Sequence, residues 1–240
     1  MKEQLAKKKP EVSRSREGKH IKSLVYGGLD GIITTFAVVS GVTGASLAMR
    51  VVIILGFANL LADGISMAVG DYLSTKSENE YMEGLKKQQR EKLVRNYDNE
   101  VEQMVHSFEE EGLTAEDAQT ISYTLAKYTE SFVNQKMADE YGTEETGEEP
   151  LKNALVTFLS FFTFGLIPLL AYVASMFLPA MREHAFWAAS LLTGITLFIL
   201  GAVKSRITHS SWMTSGIEML AVGGLAAVAA YLIGFILGGV

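Results

Sequence analysis

Five apolar runs, each long enough to cross a bilayer, constrain this chain more than any other feature. A helix needs about 20 mostly apolar residues to span the hydrocarbon. Leu24–Leu47 carries only Asp30, and Val51–Leu73 carries only Asp63 and Asp71. Asn153–Leu178 and His184–Val203 carry no formal charge, and Trp212–Val240 has only Glu218. In lipid the backbone must satisfy its own hydrogen bonds, so runs of this kind become helices. The expected fold is an all-α integral membrane protein with five transmembrane helices. The first run has basic residues before it and Gly44-Ala45-Ser46 at its end, as a cleaved signal would. It is too long for a signal core and holds an acid, so it is a retained helix.

The remaining sequence explains a conflict in composition. Apolar residues make up 48% of the 240, yet the net charge is −6. Nineteen of the 27 acids fall between residues 74 and 152, against nine Lys and Arg there. Four segments follow: a basic N-terminal segment, 1–23; spans one and two, 24–73; an acidic helical domain, 74–152; and spans three to five, 153–240. Within the acidic domain, the second span should continue as a helix to about Lys92. A second helix is expected over Asp98–Glu111, ended by Gly112. A third starts at Thr114, where Thr114 and Asp117 resemble a capping box, and runs to about Tyr141. Gly142–Pro150 is a flexible return. The insert is thus a three-helix acidic one between the second and third spans. An acidic polar segment gives no support for nucleic-acid binding. The absence of cysteine excludes disulfides and thiolate metal centres.

Basic residues set the expected orientation. Eight precede Leu24, nine lie in the insert and two (Lys204, Arg206) follow the fourth span. The two opposite connectors hold only Arg50 and Arg182. Positive charge collects on the cytoplasmic side, which places the N-terminus and the insert there.

Acids inside a membrane span are costly, and by default they mark function. Asp30 lies between glycines in Tyr26-Gly27-Gly28-Leu29-Asp30-Gly31. On the second span Asn59, Asp63, Met67 and Asp71 recur every four residues, a slowly drifting stripe on one helix face. Carboxylate and amide oxygens with a thioether suit a divalent first-row metal better than calcium or magnesium. The competing reading is that Asp63 or Asp71 hydrogen-bonds a neighbouring helix and Met67 fills space. Glu218 is interfacial, or has a proton or pathway role. Glycine pairs such as Gly27/Gly31, Gly41/Gly44, Gly223/Gly224 and Gly234/Gly238 allow close helix approach, within one subunit or between two. Five helices are few for a complete pathway, so a homodimer is expected.

Leu24-Val25-Tyr26-Gly27-Gly28-Leu29-Asp30-Gly31-Ile32 followed by Phe36-Ala37-Val38-Val39-Ser40-Gly41 resembles the first helix of the vacuolar iron transporter family. Ala58-Asn59-Leu60-Leu61-Ala62-Asp63-Gly64-Ile65-Ser66-Met67, continuing through Gly70 to Glu78, is similar to its second. The resemblance implies a homodimer that exports cytosolic Fe2+ into an acidic compartment in exchange for protons, along a path between the two copies of the first helix. It puts the family's pathway aspartate on Asp30 and its pathway methionine on Met67. A carboxylate that some members carry eight residues before that methionine falls on Asn59, with Asp63 one turn later. Whether Asn59 or Asp63 serves protons stays open. For the insert, the resemblance implies metal capture by Glu91, Glu100, Glu102, Met137 and Glu140. Gln88 stands where a partner of Glu91 is expected. His106, four residues after Glu102 and three before Glu109, is placed to join a cluster on one face. The alternative is a solvated acidic surface.

These readings give a secondary transporter of Fe2+, with Mn2+, Co2+ and Zn2+ as further cargo of the same ligand chemistry, and no cofactor. Its partners are divalent metal ions, protons, the lipid bilayer and a second copy. The membrane is vacuolar or another acidic organelle's in a eukaryote, and the plasma membrane in a bacterium. The rivals are a same-fold transporter with Mn2+ as main substrate and a membrane-anchored metal sensor or storage protein. No phosphate-cradling loop appears. The four histidines (His20, His106, His184, His209) form no metal-binding pair, so no enzyme is expected.

Overall fold

The computed structural model describes residues 9–142, 149–208 and 210–238, with side chains from Ser23 onward except Ile207. Most of the expected return loop, residues 143–148, lies outside the described residues. The chain forms two units, residues 1–72 with 150–240, and residues 73–149.

The first unit holds helices α1 (Lys9–Gly44), the opening part of α2 (Met49–Arg95), α6 (Pro150–Phe177), α7 (Ala185–Thr208) and α8 (Trp212–Gly238). All five are long and apolar enough to cross a membrane, α1 over Ser23–Gly44. At 1.5 Å per residue those 22 residues reach about 33 Å, enough for the hydrocarbon. Helix α1 packs on α6, α8 and α7. Glycine makes this possible: a methyl group added at Gly31 would strike the Phe161 backbone, and one at Gly234 would strike the Gly41 carbonyl. Gly44 backs onto Tyr231 in the same way. These glycines therefore serve packing within one chain, while Gly224 faces open space. Around them Phe36, Val39, Val52, Leu60, Phe161, Leu169 and Tyr172 form a buried cluster. Thr43 and Tyr172 add one hydrogen bond at 3.0 Å. Outward residues such as Ile54, Ile65, Leu225 and Phe235 are apolar and exposed, as a lipid-facing surface requires.

The second unit contains the rest of α2, then α3 (Tyr97–Glu110), α4 (Ala115–Leu125) and α5 (Thr129–Tyr141). Thr114 caps α4 as expected: its hydroxyl oxygen accepts from the Asp117 backbone N–H at 3.2 Å. The hydroxyl also donates to the Asp117 carboxylate at 2.7 Å. The expected third helix is two helices, broken at residues 126–128. On an unbroken helix Phe132, six residues after Ala126, would point about 120° away from it. The turn brings Ala118, Ala126 and Phe132 into one core with Leu93, Val101, Met104 and Phe108. Gly142, at φ 63°, ends α5 in a left-handed conformation that glycine adopts without strain.

Candidate functional site

Asp30 lies on an exposed face of α1, and the Thr34 hydroxyl donates to its backbone carbonyl at 2.8 Å. Asp63 on α2 is half-buried. Both acids stand beside glycines that pack on α6. Gly31, next to Asp30, backs onto the Phe161 backbone, and Gly64, next to Asp63, has the Phe158 and Phe161 rings 3.3 Å from where a Cβ would sit. One buried residue of α6 thus underlies both glycines. Among the described residues no basic side chain pairs with Asp30 or Asp63. Two acids on two spans, with no basic partner among the described residues, form a place where a mobile cation is stabilised.

The rest of the stripe divides. Asn59 and Met67 are half-buried, Met67 against the apolar cluster of α1, α2, α6 and α7. Asp71 accepts a hydrogen bond at 2.6 Å from Thr157 of α6, so its carboxylate ties two helices. Glu218 on α8 pairs with Lys204 of α7 at 3.2 Å.

In the insert the proposed ligands do not form one cage. No group of three or more acid or histidine side chains placed to hold a metal occurs among the described residues. Glu91 is exposed, 3.9 Å from Arg95 of the same helix. Glu102 is exposed, and Met137 is buried at 1% exposure. His106 is exposed, with Glu110 at 3.4 Å and Glu109 at 3.9 Å. Glu100 and Glu140 do come together, but around a lysine. The Lys136 ammonium is 3.1 Å from Glu100 and 3.6 Å from Glu140, and it donates to the Gln103 amide oxygen at 2.9 Å. Gln89 donates to the other Glu140 oxygen at 2.6 Å. A cleft of about 200 Å³ beside them is lined by Gln103, Met104, Ser107, Lys136, Asp139 and Glu140. At the start of α5, Glu130 accepts two hydrogen bonds from Arg90, at 2.7 and 2.8 Å. These hold its carboxyl below the usual glutamate range and raise the guanidinium.

Lys136 went unnamed among the sequence candidates. The signal was its spacing: Phe132, Val133, Lys136 and Met137 recur at i, i+1, i+4 and i+5, all on the buried face of α5. Thr157 as the partner of Asp71 left no comparable mark, because it depends on how α2 and α6 meet.

A profile of the VIT family matches residues 21–235, nearly the whole chain. The chain belongs to the VIT family. A protein of Toxoplasma gondii named vacuolar iron transporter is 37% identical over 224 residues, covering 91% of this chain and 74% of that one. A Plasmodium falciparum protein of the same name is 34% identical over 91% of this chain and 82% of its own length. Vacuolar iron transporter 1 of Arabidopsis thaliana is 27% identical over 89% and 84%. All are named as transporters, and this VIT family member is not an enzyme. The matched region takes in Asp30, Asp63, Met67 and the entire insert.

Proposed function

We propose that this chain exports Fe2+ from the cytosol in exchange for protons, through a path containing Asp30 and Asp63. The observation that carries the reading is an acid on each of two membrane-length helices, each beside a glycine packed on Phe161, with no basic partner among the described residues. A carboxylate binds either a proton or a metal, so acid on the far side releases metal and loads protons for the return. Asn59 and the Met67 sulfur complete the ligand stripe, the sulfur favouring first-row metals over calcium or magnesium. The family's relatives named as iron transporters make Fe2+ the leading cargo. Mn2+, Co2+ and Zn2+ share this ligand chemistry.

The exposed Asp30 also supports a homodimer through α1. A carboxylate facing hydrocarbon is costly, and a second copy laid over that face removes the cost. In the orientation set by the basic residues, the N-terminus and the insert are cytoplasmic. The insert's excess negative charge then raises cation concentration on that side of the membrane. The membrane is that of an acidic organelle in a eukaryote, or the plasma membrane in a bacterium. A storage or sensor protein needs only anchors, and anchors gain nothing from Asp30 and Asp63.

The test is reconstitution into liposomes with an acidic interior, following Fe2+, Mn2+, Co2+ and Zn2+ entry and proton exit in parallel. Fe2+ uptake that collapses with the pH gradient is expected. Metal retained on the protein without entry would favour storage, and Mn2+ uptake far above Fe2+ would favour the manganese reading.

A further inference from the structure

The insert's two converging acids already hold a cation. Lys136 is 7% exposed and Glu100 is 8% exposed, side chain to side chain at 3.1 Å. An ammonium has three donors. Here Glu100 at 3.1 Å and Gln103 at 2.9 Å lie within hydrogen-bond distance, and Glu140 at 3.6 Å adds a second negative charge. Gln89, itself 4% exposed, fixes the remaining Glu140 oxygen at 2.6 Å. A small divalent ion binds carboxylate oxygens at about 2.1 Å, so bridging Glu100 and Glu140 would require the space that the ammonium nitrogen fills. An ion entering beside it would meet a positive charge at close range in a partly dry site.

We infer that Lys136 is a built-in cation that holds the Glu100–Glu140 cluster together and excludes a divalent metal from it. The α3–α5 contact then folds without metal, and the insert's attraction for cations comes from its exposed acids alone. This inference concerns the insert, not the membrane path, and stands or fails independently of transport.

Hydrogen exchange of the full-length protein in detergent micelles, read over the amides of α3 and α5 with EDTA or with excess Mn2+, tests it. Wild-type protection should agree within about twofold between the two conditions. Lys136→Arg keeps the charge and should also be metal-independent. Lys136→Met leaves Glu100 buried and unpaired, so protection in EDTA should fall on the order of a hundredfold, and Mn2+ should restore much of it. Wild-type protection that rises with Mn2+ and loses this response in Glu100→Gln would overturn the inference, because the acids would then hold metal despite the lysine. So would Lys136→Met protected in EDTA as well as wild type. If Lys136→Met stays unprotected in both conditions, the wild-type and Lys136→Arg results decide: metal independence upholds the inference and metal dependence overturns it.

Discussion

The two units solve the same problem, neighbouring carboxylates, in opposite ways. In the insert, Glu100 and Glu140 enclose the ammonium of Lys136. In the membrane unit, Asp30 and Asp63 stand beside glycines that share Phe161 and have no basic partner among the described residues. An acid pair with its own cation is part of the scaffold. One without is open to an ion that comes and goes. The contrast extends to packing. Helices in the membrane unit meet backbone to backbone at glycines, as at Gly31 and Phe161, whereas the insert is held by side chains.

Neutralising one acid in each region is the sharpest way to break this comparison. Glu100→Gln removes a partner from a buried ion pair and should destabilise the insert by about 3–5 kcal/mol, seen as accelerated exchange in α3 and α5. Asp30→Asn changes a group that is exposed on the single chain and has no basic partner among its described residues, and should change thermal stability in detergent by less than about 0.5 kcal/mol. Equal losses would erase the distinction. Next in size, Gly31→Ala drives a methyl group into the Phe161 backbone and should cost roughly 1–3 kcal/mol. Gly84→Ala, on the part of α2 within the insert and with nothing near it, should instead stabilise by about 0.5–1 kcal/mol. Thermal melts of the two variants check the opposite signs.

Met67→Leu keeps volume and apolar character, so stability should move by less than about 1.5 kcal/mol. Fe2+ flux in proteoliposomes should still fall, and unchanged flux would make Met67 a packing residue. The smallest effect belongs to the exposed Arg90–Glu130 pair. Its Glu130 carboxyl lies below the ordinary value of 4.5 when folded. The pair's contribution is therefore fully present above about pH 4.5 and is lost as pH falls through the lowered folded value. Exchange of α5 followed downward from pH 6 should show a small loss in wild type that is absent in Glu130→Gln.

The spans and the acid-rich insert were legible because hydropathy, run length and charge are local properties, and so was the Thr114 cap. The break at residues 126–128 was not, since Ala126, Lys127 and Tyr128 carry no breaker; the turn comes from bringing Phe132 into a core made elsewhere. Glycine pairs announced close approach without saying to what, and the structure spends Gly31, Gly44 and Gly234 on contacts within one chain. The acid stripe on α2 was legible as a stripe. That Gly31 and Gly64 share Phe161 while Asp71 is tied to Thr157 depends on how α1 and α2 each seat against α6.

The central claim, that Asp30 and Asp63 lie on the ion path, is tested most directly by Asp30→Asn in proteoliposomes with an acidic interior, with Fe2+ entry measured across a wide range of metal concentration. The expected result is uptake at background level at every concentration, with the protein folded and inserted. Wild-type-like uptake, or full recovery at saturating Fe2+, would contradict it.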